Sequence, residues 1–335
     1  MSKKSKIPPY SSLSERLQDI KSSSKRIVSA VVLTYEFDSD LVELLVKTSL
    51  LDLNGAEDTE CLRMQGSLPA VIFYHPKRDQ KGALPNNVEL HFWKGKQPGT
   101  CHHSKVYAFV FDDMSAELII GSMNFTRSGL FQNREIFWDF EISGNNRTNV
   151  QVFRQWGDFV RNELIERAPE SPTLNSYADV LTEILNSAVD EDKEAEEVLP
   201  CLIDSGYRTR SNGLARLSQY LKQTPMGEVS RLVIVSPFFD KAERKRQVID
   251  RFLAEFDGIE QVTVFSNNWP NTFSDDREGL DVRRYLVPRE IEDAERAILR
   301  EYYDTEMEFD VGVRELHAKL LMLLDKDGNG VVYAG

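Results

Sequence analysis

Apolar residues in this chain fall into short runs between polar turns, and the runs form two matching series. Residues 26–35 are almost continuously apolar, as in a strand covered on both faces, and Asp38 or Ser39 is placed to cap a helix starting near Leu41. Residues 231–240 repeat the pattern, with Phe-Asp again ahead of a helical stretch. The series continues in the same order, since 70–74 matches 261–265 and 88–92 matches 281–285, each a predicted strand. Helical spacing runs through 147–167 and 176–187. Strands alternating with helices predict an α/β fold. The repeat predicts two lobes related by a pseudo-twofold, each a central β-sheet flanked by helices.

The last members of each series carry the polar residues that stand out. From His103-Ser104-Lys105 an apolar strand runs to Phe111, turns at Asp112-Asp113 and returns through Leu118-Ile119-Ile120 to Gly121-Ser122-Met123-Asn124. His103 and Lys105, two apart, share a face of this hairpin, and the returning strand brings Ser122 and Asn124 to the same end. Asn133 and Glu135 follow, ahead of a strand at 136–140. Imidazole, ammonium, hydroxyl, carboxamide and carboxylate groups gathered in one place can supply a nucleophile, neutralise a phosphate and orient a histidine. The second series ends in the same way, with His317-Ala318-Lys319, an apolar strand at 320–324, a polar turn and a return to Gly335. Gly121 and Gly335 follow their histidines by the same interval. A lone His-x-Lys carries little information, whereas two on matched hairpins carry much more.

Composition adjusts this picture. A length of 335 residues suits a flexible leader at 1–20, a first lobe at 21–190 and a second at 191–335, with the acidic run that starts at Asp190 as the linker. The net charge of -13 opposes indiscriminate binding to a polyanion but allows a local basic cleft. Cys61, Cys101 and Cys201 are too scattered for a disulfide framework or a zinc site. With no apolar segment behind the basic N-terminus and no run long enough to span a bilayer, a cytoplasmic protein without membrane association is expected. Tyr35, Phe238, Phe239 and Trp269 could stack on bases, although such rings are more often core; His75, His91 and His102 read as structural or surface residues.

The two hairpins resemble the paired HKD motifs of the phospholipase D superfamily, with the look of its restriction-type nuclease branch. The resemblance implies one active site at the interface of the lobes, a two-step displacement through a phosphohistidine, and no metal or cofactor. By motif position it implies that His103, Lys105, His317 and Lys319 are catalytic, with His103 as nucleophile and His317 as general acid. Ser122, Asn124 and Asn133 would bind phosphate, and Glu135 would orient a histidine. The motif's aspartate, five residues after the lysine, is Val110 in one copy and Leu324 in the other, which shifts the expectation from phospholipases towards nucleases. The expected partner is therefore nucleic acid, DNA or RNA, with a homodimer or larger assembly also expected. A lipid phosphodiesterase or transferase, and a degenerate binding module in a larger complex, stay open as alternatives. Because the sequence stops at Gly335, ahead of a second Ser-x-Asn, a longer natural chain is expected.

Overall fold

The computed structural model describes residues 16, 19–20, 25–39, 69–75, 88–93, 103–132, 135–143, 149–188, 213–224, 226–236, 248–266, 297–301 and 319–334. The chain divides into two units, Met1–Gln132 with Phe137–Lys193, and Asn133–Ile136 with Glu194–Gly335.

The first unit is built on six strands, β1 (Ile27–Leu33), β2 (Ala70–Tyr74), β3 (Val88–Phe92), β4 (Lys105–Phe111), β5 (Ala116–Gly121) and β6 (Phe137–Ile142). Their order is β3-β2-β1-β4-β5-β6, with β1 to β3 parallel and the remaining pairs antiparallel. Both faces are covered, which is why β1 is apolar along almost its whole length. Helices α1 (Val150–Phe159) and α2 (Pro172–Ser187) belong to this unit, and α2 packs on β1, β2 and β4. The Ser171 hydroxyl accepts the Leu174 N–H at 3.0 Å and Pro172 fills the first turn of α2, so the helix begins earlier than the apolar spacing at 176–187 indicates. A core of Ala30, Val32, Ile72, Tyr107, Phe109 and Ile119 gathers within the same unit.

Two residues from the expected flexible leader are held in this unit. Ile20 joins the core just named, and Arg16 lies 2.9 Å from the Glu117 carboxylate and 2.5 Å from that of Asp139. An apolar side chain and a guanidinium beside two acidic groups are thus held where composition alone describes a polar leader. Burial, with Asp139 alongside, pushes the Glu117 carboxyl up to about 9.

The second unit holds β7 (Arg231–Val235), β8 (Gln261–Ser266), β9 (Ala297–Glu301), β10 (Leu320–Leu324) and β11 (Gly330–Ala334), in the order β11-β10-β7-β8-β9. From β7 outward the plan is that of the first sheet from β1, with two parallel strands on one side and an antiparallel hairpin on the other. Register agrees as well: Leu33 faces Phe73 and Val106, and Val235 faces Phe265 and Leu320. The repeat is therefore one of strand pairing as well as composition. Its third strand differs from expectation. Residues 281–285 lie outside the described residues, and the strand beside β8 is Ala297–Glu301. Helices α3 (Gly213–Leu221) and α4 (Val248–Glu255) contribute Leu217 and Phe252 to a core with Leu232, Ile234, Val262 and Leu323. Among the described residues no helix is long and apolar enough to cross a membrane.

Candidate active site

The first motif lies where β4 begins. Lys105 is 1% exposed and faces Gly121 across the β4–β5 ladder, where no side chain on the partner crowds it. Its Nζ lies 2.6 Å from His103 Nδ1 and 3.2 Å from Nε2, and donates to the His103 carbonyl at 2.7 Å. A charged ammonium can only donate, so the nearer ring nitrogen, Nδ1, takes this contact as an acceptor.

Ser122 and Asn124, both buried, follow β5. The Tyr107 hydroxyl donates to the Met123 carbonyl at 3.1 Å and fixes the backbone between them. Asn124 is held from the end of β1, since its Oδ1 accepts the Tyr35 N–H at 3.3 Å and its Nδ2 donates to Glu36 Oε1 at 3.5 Å. Thr34 Oγ1 accepts the Phe125 N–H at 3.0 Å. The Asp38 carboxylate, a candidate cap for a helix near Leu41, accepts the Arg127 N–H at 2.7 Å; residues 40–50 lie outside the described residues. Thr34 and Glu36 were invisible as site residues in the sequence. The available signal was their place at the end of a central strand, next to the strand that carries the motif.

Gly129 closes the loop over this backbone. A Cβ there would fall 2.4 Å from the Asn124 carbonyl oxygen, so Gly129→Ala must displace the segment that carries Asn124. The expected cost is about 1–3 kcal/mol, read as a lowered midpoint in thermal unfolding. An unchanged midpoint would refute the contact.

The aspartates nearest the missing motif position have other tasks. Asp112 accepts the Arg26 N–H at 3.1 Å, and Asp113 accepts the Ser115 N–H at 3.1 Å as well as its hydroxyl. Asp325 accepts N–H groups from Gly227, Asp327 and Asn329, which hold its carboxyl below the usual range. All three tie the hairpin turns. Val110 and Leu324 sit inside paired strands, opposite Ser29 and Ala116 in one sheet and Arg231 and Gly330 in the other.

In the second unit Lys319 immediately precedes β10, and Leu320 pairs with Ala334 as Val106 pairs with Ile120. Burial pushes the Lys319 ammonium down from its ordinary pKa, and the negative charge of Glu135 opposes that shift. Glu135 follows the first hairpin in sequence, yet it belongs to the segment Asn133–Ile136 that groups with the second unit. Its charge is thus placed to act on the second motif's lysine. His317 and Asn133 lie outside the described residues, as do His102, Phe238, Phe239 and Trp269. His91 stacks on Phe73 and lies 3.5 Å from Glu89, a structural setting.

Strand order and matched registers repeat in both units, and the paired lysine motifs that they carry resemble those of the phospholipase D superfamily. More particularly, residues 4–153 match the model of the tyrosyl-DNA phosphodiesterase family. No curated protein sequence matches the chain. Among solved structures it is similar to yeast tyrosyl-DNA phosphodiesterase at 12% identity, with 93% of this chain and 77% of that one covered and a TM-score of 0.51. A mutant of the same yeast enzyme matches at 12% identity over 92% of this chain and 74% of that one, with a TM-score of 0.50.

Proposed function

We propose that this chain is a phosphodiesterase that cleaves a phosphodiester on DNA through a phosphohistidine formed on His103. The observation that carries the reading is the buried Lys105 ammonium held against His103, in the segment that matches the tyrosyl-DNA phosphodiesterase family. In the first step an imidazole nitrogen bonds to phosphorus while the bond to the leaving oxygen breaks, and that oxygen takes a proton from His317, the general acid by motif position. In the second step His317, now a base, takes a proton from water as the water oxygen displaces the imidazole. Lys105 has a part in both. A phosphate oxygen is a stronger acceptor than Nδ1, so an incoming phosphate draws the ammonium away and releases the ring that it holds in the free protein. Asn124 places one amide hydrogen on Glu36, and its other, without a partner among the described residues, is available to donate to the phosphate.

The test is release of product from an end-labelled oligonucleotide carrying a tyrosyl phosphodiester, beside an unmodified oligonucleotide, in EDTA. Cleavage that persists with the chelator supports the reading; no cleavage of either substrate refutes it. The pH profile tests Lys319. Its lowered pKa makes the ammonium lose its proton, and the rate decline, below the ordinary lysine range as pH rises. Glu135→Gln removes the opposing charge and is expected to move that alkaline limb to still lower pH, measured as kcat/KM against pH. A limb that stays in place would count against the pairing.

A further inference from the structure

Three rings stand across neighbouring strand ends of the first sheet. Tyr35 lies just beyond the end of β1, the strand between β2 and β4. Beyond β2, the His75 ring stacks on Tyr35 with centroids 5.1 Å apart and planes 12° apart, and its backbone N–H donates to the Tyr35 carbonyl at 3.1 Å. Ahead of β4, the His103 ring lies 5.1 Å from that of Tyr35, tilted by 45°. His75 is 4% exposed, and its Nδ1 has no hydrogen-bond partner among the described residues. The contribution of His75 at this point is thus its flat face rather than a bond from Nδ1.

The Tyr35 and His75 rings are not part of the repeat. Leu33 corresponds to Val235 and Phe73 to Phe265 in the matched registers, so Tyr35 and His75 correspond to Pro237 and Asn267 in the second series. A scaffold that repeats, with stacked rings beside the first histidine and no such pair in the second sequence, points to a task specific to His103.

We propose that Tyr35 and His75 are positioning residues that hold the His103 ring at the angle from which its nitrogen reaches phosphorus. The proposal rests on the reading of His103 as the attacking group. When phosphate draws Lys105 away, the Nδ1 contact is lost, and the ring contact with Tyr35 is one that survives. Attack requires the nitrogen lone pair to stay aligned with phosphorus at that moment, and a small misalignment is enough to slow a reaction greatly.

Single-turnover cleavage of the tyrosyl oligonucleotide by the full chain tests this, with His103→Ala run in parallel. Tyr35→Ala is expected to slow the maximal rate about ten- to a hundredfold with KM changed less than about threefold, and Tyr35→Phe to recover most of that rate. His75→Ala should slow the reaction in the same way, and His75→Phe, which keeps a flat ring, should restore it. If Tyr35→Ala does not fold, Tyr35→Leu replaces it, judged by the same split between rate and KM. The proposal is overturned if neither alanine variant slows the maximal rate, if the loss falls on KM alone, or if the ring-preserving variants are no faster than the alanines. Full cleavage by His103→Ala would instead remove the functional reading beneath it, an outcome the parallel arm separates from the others.

Discussion

Cleavage by the His103→Ala protein is expected to fall at least about a thousandfold, because no other group can take the place of an attacking imidazole. The loss should be chemical rather than structural. His103 lies ahead of β4, outside the ladder, and is exposed, so its removal leaves the strand pairing and the core of the first unit untouched. Thermal unfolding should therefore be nearly unchanged. In wild-type protein quenched with denaturant during turnover, labelled phosphate should remain attached to the chain, and His103→Ala should carry none. A variant that cleaves within tenfold of wild type would end the case for His103 as nucleophile.

Lys105→Ala should separate activity from stability. The buried ammonium neutralises phosphate charge, and losing one such donor slows a reaction by about a hundred- to a thousandfold. Stability should fall only modestly, since the variant no longer keeps an ammonium out of water, and this gain offsets part of the packing lost with the side chain. Lys105→Arg should not restore the rate. The slot opposite Gly121 accommodates a slender chain with a compact charge, whereas a planar guanidinium cannot place a single donor at His103 Nδ1 in the same way. Near-normal rates in Lys105→Ala would show that this ammonium does not meet the substrate.

Much of this architecture was legible in the sequence because it depends on local rules. Continuous apolar runs marked the central strands β1, β2, β7 and β8, and the hairpins announced themselves through Asp-rich turns and alternation. The paired histidine and lysine segments were equally plain. What escaped depends on partners remote in sequence. Asn124 stood out in the sequence as a candidate site residue, but the Tyr35 N–H and Glu36 carboxylate that hold it sit on a strand end nearly ninety positions earlier. His75 read as ordinary, because stacking between strand ends leaves no trace in spacing along one chain. Edge strands are weakly specified in sequence, and Ala297–Glu301 did not stand out as the strand beside β8. Glu135 shows the limit most clearly: it belongs to a segment of four residues, Asn133–Ile136, that groups with the other unit although the chain on both sides of it belongs to the first.

The carboxylates gathered on Arg16 also affect how the protein exchanges protons with its surroundings. The net charge of -13 counts Glu117 as ionised, yet with its carboxyl near about 9 the folded chain keeps that proton at neutral pH. An ordinary glutamate, with its value of 4.5, does not. Between these two values the folded state binds the proton and the unfolded state lacks it, so this group favours folding as pH falls and loses that effect above about 9. Unfolding in neutral solution is accordingly expected to release acid, seen as a calorimetric heat that changes with the buffer that takes it up.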